Sequence, residues 1–453
     1  MKNLLILLVL FLTNANLNSQ DHSEFITDAF SSPQEVTQTC LGCHDEAAQQ
    51  IMKTNHWTWL NEEFTSENNE AERVGKQNII NNFCIAVPSN YPRCTSCHAG
   101  YGWKDASFDF NNEENVDCLV CHDNSGTYKK IPTGAGMPDE GVDLLLVAQS
   151  VGKTSRNNCG VCHFDGGGGT GVKHGDLDDS LYDPEPETDY HMGALEFVCT
   201  DCHTTNEHKI MGASHGSMAA NQNHIYCTDC HAEEVHQSAN LNKHVKSIAC
   251  ETCHIPEFAK VIPTKTWWDW SLAGEDRSES TDEYGMETYS KIKGRFVWAK
   301  NVKPTYLWHN GQANYYHFGD KIDPSKVVLL NKLTGNIKDP NSKIAPFKVM
   351  RGKQIYDSKN NYLIVPKLFG EGGYWETFNW NLASENGMKE IELEYSGEFG
   401  FVETEMYWPI NHMVVSKDNA LKCTNCHGRS ADRMDWEALG YEGDAMVKKG
   451  RNL

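Results

Sequence analysis

Cys250-Glu251-Thr252-Cys253-His254 decides how this chain is read. Two thiols stand three positions apart, and an imidazole follows the second at once. The same Cys-x-x-Cys-His string occurs seven more times: Cys40–Cys43–His44, Cys94–Cys97–His98, Cys118–Cys121–His122, Cys159–Cys162–His163, Cys199–Cys202–His203, Cys227–Cys230–His231 and Cys423–Cys426–His427. These pairs use 16 of the 17 cysteines. Structural zinc also uses paired cysteines, but it has no reason to demand His after every second thiol. With 20 His among 453 residues, that follower arises by chance about once in 23. A disulfide framework fails by the same count. The string is the attachment signature of c-type haem: two thiols take the vinyl groups and the His lies under the iron as proximal ligand. The expected cofactors are eight covalent c-type haems.

Working outward, seven motifs crowd into residues 40–254, and positions 254–422 then hold no cysteine. The spacing is irregular, so the chain is not a solenoid. Porphyrins take the place of an ordinary core. The expected fold is therefore mainly α with much irregular structure, a multihaem cytochrome c fold organised around eight haems. A small β-hairpin element is expected in 286–400. Asn310-Gly311 is a type I′ turn signal between 304–308 and 313–318. Ile391–Tyr395 alternates like a half-buried strand, and Asp435–Leu439 reads as a short tail helix. The expected organisation is 1–20 signal peptide, 21–254 haem core for haems one to seven, 255–422 a Trp/Tyr-rich connecting segment packing on that core, and 423–453 haem eight and the tail.

Met1-Lys2-Asn3 followed by apolar Leu4–Leu12 reads as a secretory signal, too short to span a membrane. A periplasmic, exported protein is expected, with no membrane span after signal removal. The net charge of −22 excludes nucleic acid and suits a redox partner bearing a basic patch, such as a quinol-linked cytochrome. A homo-oligomer is compatible with the sequence. The acidic stretch Asp176–Asp189 has charge enough for calcium but lacks the EF-hand order, and a solvated loop is the favoured reading. Gly166–Gly169 lacks the Lys-Ser/Thr of a phosphate cradle and suits close approach to a porphyrin.

Eight of the twenty histidines are proximal, leaving twelve. His22, in the linker after the signal, drops out. The count alone does not reveal a catalytic haem. Cys84 is the one cysteine outside a motif: a free reactive thiol, an intermolecular bridge or an inert buried side chain.

Several strings resemble the octahaem tetrathionate reductases, over nearly the whole mature chain. They are Phe83-Cys84 with Pro92-Arg93-Cys94-Thr95-Ser96-Cys97-His98, Gly152-Lys153-Thr154-Ser155-Arg156-Asn157-Asn158-Cys159-Gly160, Cys250–Pro256 with Trp268-Asp269-Trp270-Ser271, and Met406–Met413. The resemblance implies seven bis-His haems and a catalytic second haem on Cys94 and Cys97. That haem has His98 as proximal ligand, Lys153 as amine ligand and Cys84 close by. It also implies distal ligands among His56, His174, His191, His208, His236, His244 and His412, with His215, His224, His309 and His317 in reserve. Arg93 and Arg156 flank the key strings as candidates to admit a small anionic or polar substrate. The implied activity is reduction of tetrathionate, nitrite or hydroxylamine. Two alternatives stand beside it: a pure electron conduit, and oxidation of hydroxylamine or hydrazine.

Overall fold

The computed structural model describes residues 21–60, 64–65, 71–80, 86–166, 168–212, 224–278, 280–448 and 450–451. The signal segment 1–20, Cys84 and His215 lie outside them.

The described part of residues 21–254 consists of short helical turns and loops with two short antiparallel strand pairs, as expected of a chain wrapped around porphyrins. The motif sequences explain the turns. In Cys199–Cys202, Cys227–Asp229 and Cys423–Cys426 the third residue of the motif is Asp201, Asp229 or Asn425. Its side chain accepts from the backbone N–H three residues earlier, at Val198 (2.7 Å), Tyr226 (2.9 Å) and Lys422 (2.7 Å). Each bond satisfies an otherwise orphaned donor and closes one turn. One turn is enough to present two sulfurs and an imidazole to the same side.

The later segment is more β-rich than a hairpin. It builds an eight-stranded sheet from β1 Thr264–Asp269, β2 Tyr289–Ser290, β3 Gly294–Ala299, β4 Thr305–His309, β5 Val328–Leu329, β6 Lys343–Asp357, β7 Tyr362–Leu363 and β8 Phe399–Pro409. The spatial order is β5-β8-β6-β1-β3-β2, with β4 and β7 also pairing β6. The long strand β6 is central. It runs antiparallel to β8 from Phe347↔Pro409 to Asp357↔Phe399, and antiparallel to β4 over residues 343–346. Pro346 sits where the partner changes, a place where a missing donor is tolerated.

At Asn310-Gly311 the chain bends, with Gly311 at φ 86°, but Asn310 does not take the positive φ that a type I′ turn requires. Its flanks do not pair with each other: β4 joins β6, and Ala313–Tyr315 joins Asn331–Leu333. The long apolar β6 offers a better edge than a five-residue neighbour does. Residues 391–395 form no strand; Leu393 N–H instead bonds Met388 O (3.0 Å) at the end of helix Trp380–Glu390. Asp435–Leu439 is a hydrogen-bonded turn, and its Leu439 carbonyl accepts from Trp308 Nε1 at 2.8 Å.

The main core packs the sheet's aromatic residues against helix Trp380–Glu390, with Tyr374 stacked on Trp380 at 3.7 Å. Gly387 lets this helix meet the chain at Val365, because a Cβ there would lie 1.8 Å from Val365 O. Gly387→Ala is therefore expected to destabilise the fold by about 1–3 kcal/mol or more, read as a lower thermal midpoint with haem content intact.

The sheet also fixes the haem segment. Ile344 of β6 accepts from Ala249 N (2.9 Å) and Thr252 Oγ1 (2.8 Å) at the seventh motif. After β8 the chain returns along that motif, with Val415 N bonding His254 O and Leu421 N bonding Cys253 O. Those contacts deliver the eighth motif beside the seventh.

Candidate haem and substrate site

A single continuous cavity of about 3620 Å³ runs through the motif segment. That is several times the size of a pocket for one small ligand. Seven motif histidines line it, together with nine others. Their pairing is regular. Ring centroids lie 6.1 Å apart for His163 and His56, 6.4 Å for His122 and His208, and 6.1 Å for His231 and His191. They lie 6.3 Å apart for His203 and His412, His254 and His236, and His427 and His244. Two imidazoles on one metal, each bonded at about 2 Å with the ring centre roughly 1 Å behind the nitrogen, have centroids about 6 Å apart. The six pairs thus fit an iron between them. Each joins one motif His to one of the histidines implied as distal ligands.

Other features suit the same cofactor. Burial pushes His163 down to about 3 and lowers His56, which favours the neutral, ligating imidazole. Nδ1 of His122, His203 and His244 is bonded to the carbonyls of Gly152 (2.9 Å), Met211 (2.8 Å) and Asn240 (2.8 Å). His208 and His236 use the side-chain oxygens of Gln50 (2.8 Å) and Asn242 (3.2 Å). Such bonds fix the ring and leave Nε2 for a metal.

Sulfurs of different motifs also meet. Cys40 contacts Cys118, Cys97 contacts Cys162, Cys159 contacts Cys199, and Cys227 contacts Cys250. Cys121 lies near Cys162, Cys202 near Cys230, and Cys253 near Cys426. The attachment points therefore form a row in the order one, three, four, five, six, seven, eight, with the second branching at the fourth.

Comparison with known proteins agrees with this layout. Residues 265–430 match the family of bacterial cytochromes c, and residues 39–123 match cytochrome c554 and c-prime. The crystal structure of octaheme cytochrome c from Shewanella oneidensis is 50% identical, with a TM-score of 0.90. The match covers 96% of this chain and 100% of that one. This chain belongs to the octahaem c-type cytochromes. An uncharacterized protein of Archaeoglobus fulgidus is also similar, 25% identical over 239 residues, or 42% of this chain and 80% of its own. This cytochrome accordingly carries c-type haems on its Cys-x-x-Cys-His motifs. No helix among the described residues is long and apolar enough to cross a membrane.

The second motif breaks the pattern. His98 is fully buried, and it is the motif His that does not line the cavity. Its ring sits among Trp57, Trp59, Trp103, Phe108 and Phe110 at centroid distances of 4.8–6.3 Å. Nε2, the nitrogen a proximal ligand would use, lies 2.7 Å from Trp57 O. Nδ1 is buried without a partner. Burial pushes this imidazole down to about 3. His98 is thus held neutral and donates Nε2–H to Trp57.

Lys153 is exposed, on the loop where Gly152 O supports His122. Among the described lysines on the cavity wall, Lys173 is the buried one, at 3% exposure. Its side chain runs beside Gly166, whose N–H bonds Cys162 O (3.0 Å), and Cys162 contacts Cys97. Gly166 thus makes room for Lys173. The backbone of Lys173 is clamped by the buried Lys348, whose Nζ donates to Val172 O (3.0 Å), Lys173 O (2.8 Å) and Thr264 Oγ1 (2.5 Å). No signal in the sequence marks Lys173, because its burial depends on β6 supplying Lys348 from 175 residues away.

The remaining candidates separate cleanly. His174 lines the cavity and packs edge-on against Trp408 at 4.5 Å, outside the six pairs. His22 and His224 also stand on the cavity wall. His309 packs on Phe347 in the sheet, and His317 bridges Ile79. Arg156 is occupied with the carbonyls of Met192 and Phe197, and Arg93 lies over Trp375 at 5.0 Å. Among the described residues no acidic group of the kind that binds calcium is assembled.

Proposed function

We propose that this cytochrome is an exported multihaem reductase of small sulfur or nitrogen oxyanions, with the second haem as the reactive one. The observation that carries the proposal is the withdrawal of His98 into its aromatic cage. The other seven motif histidines face the cavity, and six of them face a partner ring. The paired histidines would hold haems that supply an electron relay, and the second motif would hold one that supplies the reactive iron.

The chain's own residues supply the rest. Lys173 is buried on the cavity wall beside the fourth motif. Lys76 places positive charge beside Cys97 in a protein of net charge −22, whereas Lys130 is paired with the buried Asp117 at 2.8 Å. Such charge draws in an anion. Trp59 and Trp103 close the far side of the second motif and exclude water from it. Cleavage of the tetrathionate S–S bond takes two electrons and no proton. Nitrite and hydroxylamine also require protons. A redox partner with a basic patch supplies the electrons.

The test is steady-state turnover with reduced viologen against tetrathionate, nitrite and hydroxylamine, alongside cyanide titration of the oxidised protein. Turnover of one substrate with cyanide perturbing a single haem is expected. If no haem binds cyanide and none of the three is reduced, the cytochrome is an electron conduit.

A further inference from the structure

Among the described residues, two of the paired histidines differ from the others in what holds Nδ1. His427 of the eighth motif meets Asp444 Oδ1 at 2.6 Å. His412, which faces His203 of the fifth motif, meets Asp176 Oδ2 at 3.2 Å. Where His122, His203, His208, His236 and His244 are held at Nδ1, the partner is a neutral carbonyl or amide oxygen. We propose that Asp444 and Asp176 are potential-setting residues that make the eighth and fifth haems the most reducing of the paired sites in the row.

The argument is electrostatic. A carboxylate accepting Nδ1–H draws the proton toward itself and leaves anionic character on the imidazole. An anionic ligand stabilises ferric iron over ferrous, so the potential falls. A carbonyl acceptor does the same more weakly, because it carries no net charge.

Both carboxylates are built in place. Asp444 Oδ2 accepts from Gly428 N (2.8 Å) and its Oδ1 from Met446 N (2.9 Å). Asp176 Oδ2 accepts from Asn411 N (2.9 Å) and His412 N (3.1 Å). These bonds aim each oxygen at its ring. Asp176 is 2% exposed, so water screens its charge little. The shorter bond belongs to the eighth site, which ends the row farthest from the second motif. A strongly reducing terminus there accepts electrons from a low-potential donor and passes them inward downhill. The claim concerns potentials and does not depend on the substrate.

Asp444→Asn, Asp176→Asn and Asp444→Glu proteins, each carrying eight haems by intact mass, are to be compared with wild type by potentiometric titration read optically and by EPR. Each Asn variant is expected to move one redox wave to higher potential and to alter one low-spin EPR signal, leaving the others in place. Asp444→Glu should keep the wild-type wave. Asp418→Asn, which removes an exposed charge near the eighth motif without touching a histidine, should move none. If Asp176→Asn does not mature, Asp444→Asn decides alone. An unmoved or lowered wave in Asp444→Asn, or an equal shift in Asp418→Asn, overturns the proposal.

Discussion

Lys173→Met is expected to lower viologen-driven turnover by on the order of 10²-fold or more, while all eight haems remain attached. Met removes the amine but keeps a long flexible chain, so the space between Gly166 and the cavity stays filled. Haem attachment needs the paired thiols, and Lys173 belongs to no motif. The same substitution should change the spectrum of one haem. Lys153→Met is the matched comparison. Its amine is exposed beside the third motif and is expected to leave rate and spectrum within about twofold of wild type. Cys84→Ala completes the set, testing the thiol expected beside the second haem. Equal losses in Lys153→Met and Lys173→Met would remove the buried amine from the mechanism. Intact rates in both would move the reactive site away from the second motif.

The difference between these lysines shows what the sequence could and could not carry. Covalent attachment is encoded locally: two thiols three apart and an adjacent imidazole do their work within one turn. All eight motifs were therefore legible, as was the helical-turn character of the segment that bears them. Axial pairing is not local. His208 serves opposite His122, and His412 opposite His203, across separations that only the folded chain closes. A list of spare histidines could be drawn up, but not matched.

The sheet was underread for a similar reason. Asn310-Gly311 reads as a type I′ turn, and the chain only bends there. Its flanking strands were captured by β6, whose pairing capacity no local pattern announces. Burial of Lys173 likewise depends on Lys348 reaching across from that strand. His98 is the sharpest case. Its sequence context is identical to that of seven ligating candidates. What turns it away is Trp57 O together with four more aromatic side chains drawn from residues 59–110.

That contrast makes the second large prediction. His163→Ala and His98→Gln alter the same position of two neighbouring motifs, yet they are expected to have opposite outcomes. His163 lies 6.1 Å from His56, and its loss leaves one iron with a single imidazole. One low-spin signal should be replaced by a high-spin one. The fourth site joins the second to the rest of the row, so turnover should fall at least about tenfold even though the second motif is untouched. Gln at position 98 can still donate to Trp57 O, so the cage keeps its one polar contact. Low-spin content should match wild type, with eight haems by mass. The cost should appear as stability, on the order of 1–3 kcal/mol, because an amide fills an imidazole-shaped space imperfectly. If His98→Gln instead converts one haem to high spin, His98 is an axial ligand in the haem-loaded protein and the cage describes another state of the chain. If both variants keep every low-spin signal, the 6.1 Å pairing of His163 with His56 does not mark ligation, and the other five pairs lose their meaning with it.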